Sequence, residues 1–174
     1  MSMFKLLGAA LIIASATVAG WVQAKQYADR PTQIRKLILA LRRLQTEIQY
    51  GYTPLPEALR RVGEQSGDPI RPIFASAAVQ MNPPNNRTAR DSLQHALDHE
   101  WKGTAMKAAE KDILSQLSHT LGTSDRQDQF GHLATAVRQL ENEEIVAREE
   151  QGSYEKMFKS LGLLCGAFIV ILLY

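Results

Sequence analysis

The 174-residue chain has a single cysteine, Cys165, so no disulfide framework can exist. That cysteine sits in an apolar run, a setting that leaves a thiol inert rather than nucleophilic. Charge of one sign is also missing: the formal net charge is only +2, which offers no bulk attraction to nucleic acid. No glycine-rich phosphate-binding loop and no nucleophile elbow can be found. Period-two alternation, the mark of half-buried strands, is nearly absent after Pro31. These gaps argue against a nucleotide-binding enzyme, a nucleic-acid module and a secreted disulfide scaffold.

What is present is unevenly spread, with both ends far more apolar than the middle. Leu6–Ala24 carries no charge and, at 1.5 Å per residue, would be about 28 Å long as a helix, near the thickness of a bilayer core. Trp21 lies toward one end, where an amphipathic ring suits a membrane interface. The same residues also fit a cleaved signal peptide, with Val22-Gln23-Ala24 before the cut. Leu161–Tyr174 is a second apolar run, extended backward by Met157 and Phe158. Two spans would leave residues 1–25 and 151–174 as membrane segments around a helical domain over 31–150. Lys25, Arg30, Arg35 and Lys36 after the first run, with Arg148, Lys156 and Lys159 before the second, would hold that domain on the cytoplasmic side of the cell membrane. Membrane lipid would then be one partner.

Between the ends, 3.6-residue periodicity predicts about six helices and an all-α bundle. Ile34, Leu37, Ile38, Leu41, Leu44 and Ile48 form the apolar face of the first helix, with Pro31 in its first turn. The stretch EIQYGYTPLPEALRRV, residues 47–62, then makes a tight corner. Gly51 is expected to end the helix with left-handed or unrestricted backbone, Thr53 to cap the next helix, and Pro54 and Pro56 to fit its start. Tyr50 and Tyr52 flank the glycine and would pack on the bundle. A third helix spans roughly Pro69–Met81, and Asn82–Asn86 is a loop. Thr88 caps a fourth helix carrying Leu93, Ala96 and Leu97. A fifth, about Thr104–Leu121, would turn Met106, Ala109, Ile113, Leu117 and Leu121 inward. A sixth begins near Asp125, capped by it or Ser124, with Phe130, Leu133, Val137 and Leu140 inward. It continues through a charged stretch in which Gly152-Ser153 is the expected hinge. The corners at Thr53 and Thr88 look alike, through internal duplication or through shared cap chemistry.

Chemistry-bearing clusters are sparse. His95 and His99 are four apart on one helical face, a spacing used by zinc sites, but no glutamate follows the first histidine and no third ligand is indicated. His119 and His132 with Ser124 and Asp125 lack the surroundings of a hydrolase. The reading is therefore of no catalytic, metal or cofactor site. Arg42, Arg43, Arg60 and Arg61 on one side, and Glu141, Glu143 and Glu144 on the other, are the candidate partner contacts through complementary charge.

The order of elements resembles a family. A first helix, GYTPLPEALRRV, a short helix, a polar loop and TARDSLQHAL resemble the type II secretion F-like domain. With LGTSDRQDQFGHL at residues 121–133 and an apolar terminus, the chain is similar to the stage III sporulation protein AB family. That resemblance covers nearly the whole chain and implies a non-enzymatic, membrane-anchored scaffold in the secretion-like channel between mother cell and forespore. Its implied partners are other proteins of the channel complex, above all a cytoplasmic secretion-type ATPase, with homo-oligomerisation a further option. Typical secretion F proteins carry two such domains and this chain one. Two other readings are a secreted or tethered helical adaptor after signal cleavage, and a histidine-dependent tethered enzyme.

Overall fold

The computed structural model describes the backbone of residues 2–51, 53–122 and 125–173. Of the side chains before residue 14 and after residue 154 only a subset is described, and that of Arg126 is not. Among the described residues the chain is all-helical, with six α-helices and no strand. These are α1 (Ser2–Tyr50), α2 (Leu55–Gln65), α3 (Ile70–Met81), α4 (Ala89–Glu100), α5 (Ala108–Ser118) and α6 (Arg126–Leu173). A 3-10 turn, Trp101–Gly103, follows α4. Two compact units are formed, one from residues 32–145 and one from residues 1–31 with 146–174.

In the unit 32–145, the first-helix face expected from periodicity is the face that packs. Ile34, Leu37, Leu41 and Leu44 are fully buried, as are Leu59, Ile70, Ile73, Phe74, Leu97, Leu121, Leu133 and Leu140. Each such side chain contributes about 1.5–3 kcal/mol relative to an exposed one. Consecutive helices α2, α3, α4 and α5 pack in series. Polar bonds tie α1 to its surroundings: Lys36 Nζ donates to the Asp68 carbonyl (2.9 Å), Arg43 to the Gln65 carbonyl (2.7 Å), and Gln33 Oε1 accepts from Ala105 N (2.7 Å).

In the other unit, Ala24 and Ala147 are buried, and Arg30 is 3% exposed. Its guanidinium donates to Glu150 at 2.6 Å, so the buried charge is paired. Tyr27 and Tyr154 stack at 5.3 Å between ring centroids.

Several expectations need correction. Pro31 lies inside α1 rather than in a first turn. Proline supplies no N–H and crowds the carbonyl four residues back, and the division between the units falls directly after it. At the other end, α6 is helical through Gly152-Ser153. The expected two-pass topology in the cell membrane is overturned: among the described residues no helix is long and apolar enough to cross a membrane. Gly8, Ser15, Thr17 and Gly20 dilute the first apolar run, and Leu161–Tyr174 falls short of the roughly 20 residues a span needs. Both runs are the ends of helices of 49 and 48 residues that are otherwise rich in charge.

The corner at Gly51 also differs. Among the described residues the positive φ angles belong to Asn86 and Gly122, not to Gly51. Gly51 is needed for space instead: a Cβ there would lie 2.7 Å from the Glu47 carbonyl oxygen and 2.8 Å from Thr53 Oγ1. Gly122, at φ +80°, is the glycine that turns left-handed, ending the α5 region before α6. Tyr50 is 72% exposed, and Tyr52 lies outside the described residues.

Candidate functional site

The seven charged residues singled out from sequence fall on three helices of the unit 32–145, and the fold joins some of them directly. Within this unit, α1 and α6 run alongside each other in opposite directions, as their ion pairs show. Arg42 is bonded to Glu141. About two turns back along α1, Arg35 is bonded to Glu144 at 2.8 Å. Arginine and glutamate that could have served two opposed surfaces therefore alternate on one ridge. Leu39 lies between Arg35 and Arg42 on the same face of α1, and Ile145 adjoins Glu144 on α6. These large apolar side chains are 48% and 58% exposed, respectively.

On α2 the arrangement is local. Glu57 takes both ends of the Arg60 fork, at 2.8 and 2.7 Å, and a further bond from Arg61 Nε at 3.0 Å. Those hydrogen bonds, with the charges of the two guanidiniums, hold the Glu57 carboxyl down from its ordinary 4.5 to about 2. Arg60 also bonds Glu64, and the same carboxylates push its guanidinium higher still. Arg61 reaches back to Glu47 at 3.6 Å, across the Gly51 corner. These groups are well exposed, so the pairs orient side chains more than they stabilise the fold. Glu143 lines a groove beside Asp112.

Sequence reasoning missed Arg35, Glu47, Glu57 and Glu64 as members of this network. The i, i+3 and i, i+4 spacings around Glu57 did carry that signal. The α1–α6 pairs had none, because they depend on which helices pack together.

The histidines are distributed differently. His95 and His99 stack at 4.3 Å between ring centroids, and His95 Nδ1 is buried without a hydrogen-bond partner. Neighbouring groups are engaged with each other: Lys111 bonds Asp98 at 2.9 Å and pulls that carboxyl below its ordinary range. Ser115 donates to Gln94 at 3.0 Å. Among the described residues no three histidine, cysteine, aspartate or glutamate side chains are grouped so as to hold a metal. Asp125 Oδ1 accepts from Asp128 N at 2.8 Å, which makes it the cap of α6. Ser124 lies outside the described residues. His119 is exposed, and His132 lines a groove.

By its described residues the protein is an all-helical bundle with ion pairs along its helix surfaces. The comparisons with known proteins narrow this class. The family model for stage III sporulation protein AB matches residues 5–174. The stage III sporulation protein AB of Bacillus subtilis (strain 168) is 37% identical over 171 residues, covering 98% of this chain and 99% of that protein. A solved structure of a stage III sporulation protein AB superposes with a TM-score of 0.67 at 33% identity, over 72% of this chain and 98% of that one. The chain belongs to the stage III sporulation protein AB family.

Proposed function

We propose that the chain is a non-enzymatic scaffold of a sporulation-specific, secretion-like channel complex, and that it works by docking the secretion-type ATPase of that complex. Family membership supports the cellular setting. The observation that carries the docking role is the α1–α6 ridge, where Leu39 stays exposed between Arg35 and Arg42 and Ile145 stays exposed next to Glu144, beside the Arg35–Glu144 and Arg42–Glu141 pairs. Large apolar side chains left open beside oriented charges are the composition of a protein–protein contact, in which buried apolar area supplies affinity and charges fix register. Arg43, Arg60 and Arg61 extend the charged surface over α2.

The test is retention of the chain by the purified ATPase of the complex. The exchange Arg42→Glu with Glu141→Arg keeps an internal ion pair but inverts the surface that a partner meets. It should lower retention at least tenfold while the far-ultraviolet circular dichroism stays unchanged. If the exchanged protein is retained as well as the wild type, the ridge is not the docking surface. The reversal Arg60→Glu with Arg61→Glu should have a smaller effect in the same assay.

A further inference from the structure

The unit formed by residues 1–31 and 146–174 leaves much apolar surface open. Its two helical segments run in opposite directions: Arg30 meets Glu150, and one step back on α1 and forward on α6, Tyr27 meets Tyr154. Past that stacked pair, Met157, Leu161, Leu164, Phe168 and Ile171 of α6 are 45–74% exposed. They follow one another at intervals of four, three, four and three residues. That alternation averages 3.5 residues, the repeat that keeps a seam of one helix against another helix over several turns. On α1, Leu11, Val18 and Val22 are also exposed, seven and four residues apart, in the same repeat. Single apolar side chains on a surface are ordinary, but a heptad-spaced row on each of two helices is a contact surface.

The two rows differ in bulk. The α6 row is built of large side chains at every position. The α1 row is interspersed with small exposed residues, Ala14, Ser15 and Ala19. Large knobs on one helix and shallow holes on another are the two halves of coiled-coil packing. With Trp21, which is exposed beside Val22, the rows offer on the order of 800 Å² of open apolar surface, about what each partner of a stable dimer buries.

We infer that this helix pair is a homodimerisation surface, in which the α6 row of one copy packs into the α1 row of a second copy and the reverse. Because each copy carries both rows, a two-fold axis satisfies them reciprocally and the assembly closes at two copies. The contact uses residues distinct from the Arg35–Glu144 and Arg42–Glu141 ridge.

Sedimentation equilibrium of the full chain over a wide concentration range is the test, and a monomer–dimer equilibrium is expected. The variant Leu164→Lys with Phe168→Lys changes two exposed positions of the α6 row and should weaken the dimer at least tenfold, with helicity checked by circular dichroism. Val18→Lys, on the α1 row, should weaken it as well. The milder variant Leu164→Ala with Phe168→Ala should act in the same direction, which keeps the test decisive if the lysines unfold the helix. Three results overturn the proposal: a wild type that stays monomeric throughout, a dimer that resists all three variants, or monomeric wild type that floats with vesicles of phosphatidylglycerol and phosphatidylethanolamine, which assigns the rows to a lipid surface. The Arg42→Glu/Glu141→Arg exchange should leave the dimer intact. If that exchange dissolves it, the ridge is the self-contact and the assignment to the heptad rows falls.

Discussion

The corners at Thr53 and Thr88 share a pattern in sequence and part ways in structure. Each places a threonine before a short helix whose third residue is acidic: Glu57 in α2 and Asp91 in α4. At α4 the pattern is used as a cap. Thr88 Oγ1 accepts from Asp91 N at 3.1 Å and donates to the Asp91 carboxylate at 2.8 Å. At α2 the cap position belongs to Pro54, with no side-chain bond to the helix. Pro56 lacks one of the N–H groups that a cap would satisfy. Thr53 turns back and donates toward Glu47 at 3.0 Å and the Gly51 carbonyl at 3.2 Å, bracing the end of α1. Glu57, released from capping, gathers Arg60 and Arg61. The lesson is that a threonine caps a helix only where it holds the cap position itself; at α2 Pro54 holds that position, and the Thr53 hydroxyl serves the preceding helix instead.

The comparison can be broken at the core, where the two helices should behave alike. Leu59→Ala in α2 and Leu97→Ala in α4 each remove a fully buried side chain, and each should cost about 2–5 kcal/mol in urea unfolding. A much smaller loss at one would mean that its corner does not seat its helix. Next in size is Gly51→Ala, which forces a Cβ against the Glu47 carbonyl at 2.7 Å. It should cost about 1–3 kcal/mol, and a neutral result would show that the close approach relaxes without effect.

The threonines themselves sharpen the contrast. Thr88→Ala should cost about 1 kcal/mol, the usual value of a lost N-cap. Thr53→Ala should cost about 0.5 kcal/mol, as for a modest hydrogen bond. Equal losses would erase the distinction drawn between the corners. The smallest effect concerns acid. Because the folded Glu57 carboxyl is depressed to about 2, its stabilising contribution is complete above about pH 4.5 and is lost as pH falls through 2. The difference in stability between wild type and Glu57→Gln should therefore shrink between those limits, and less steeply in high salt. A difference that stays flat across that range would remove Glu57 from the network.

Much of the fold was legible because burial writes a period into the sequence. The face Ile34, Leu37, Leu41, Leu44 is buried as read, and Thr88 and Asp125 cap as read. The failures have distinct causes. Ala109 and Ile113 keep helical spacing without being enclosed, since periodicity reports which face is apolar and not whether a neighbour covers it. Phe130 fails in the same way at 36% exposure. Pro31 reads as a helix start but sits inside α1, because tertiary packing overrides local propensity. Hydrophobic length alone suggested spans that among the described residues no helix supplies. Of the charged residues, the α2 pairs were within reach of helical spacing, whereas Arg42–Glu141 and Arg35–Glu144 depend on α1 meeting α6, which no local pattern records.

The docking proposal meets its hardest test in a direct titration of the full chain against the purified ATPase of the complex, followed by isothermal calorimetry with wild type and the Arg42→Glu/Glu141→Arg exchange side by side. Saturable binding by the wild type, weakened at least tenfold by the exchange with both proteins helical and folded, is the expected result. No binding by the wild type, with the ATPase folded, would contradict the scaffold reading itself.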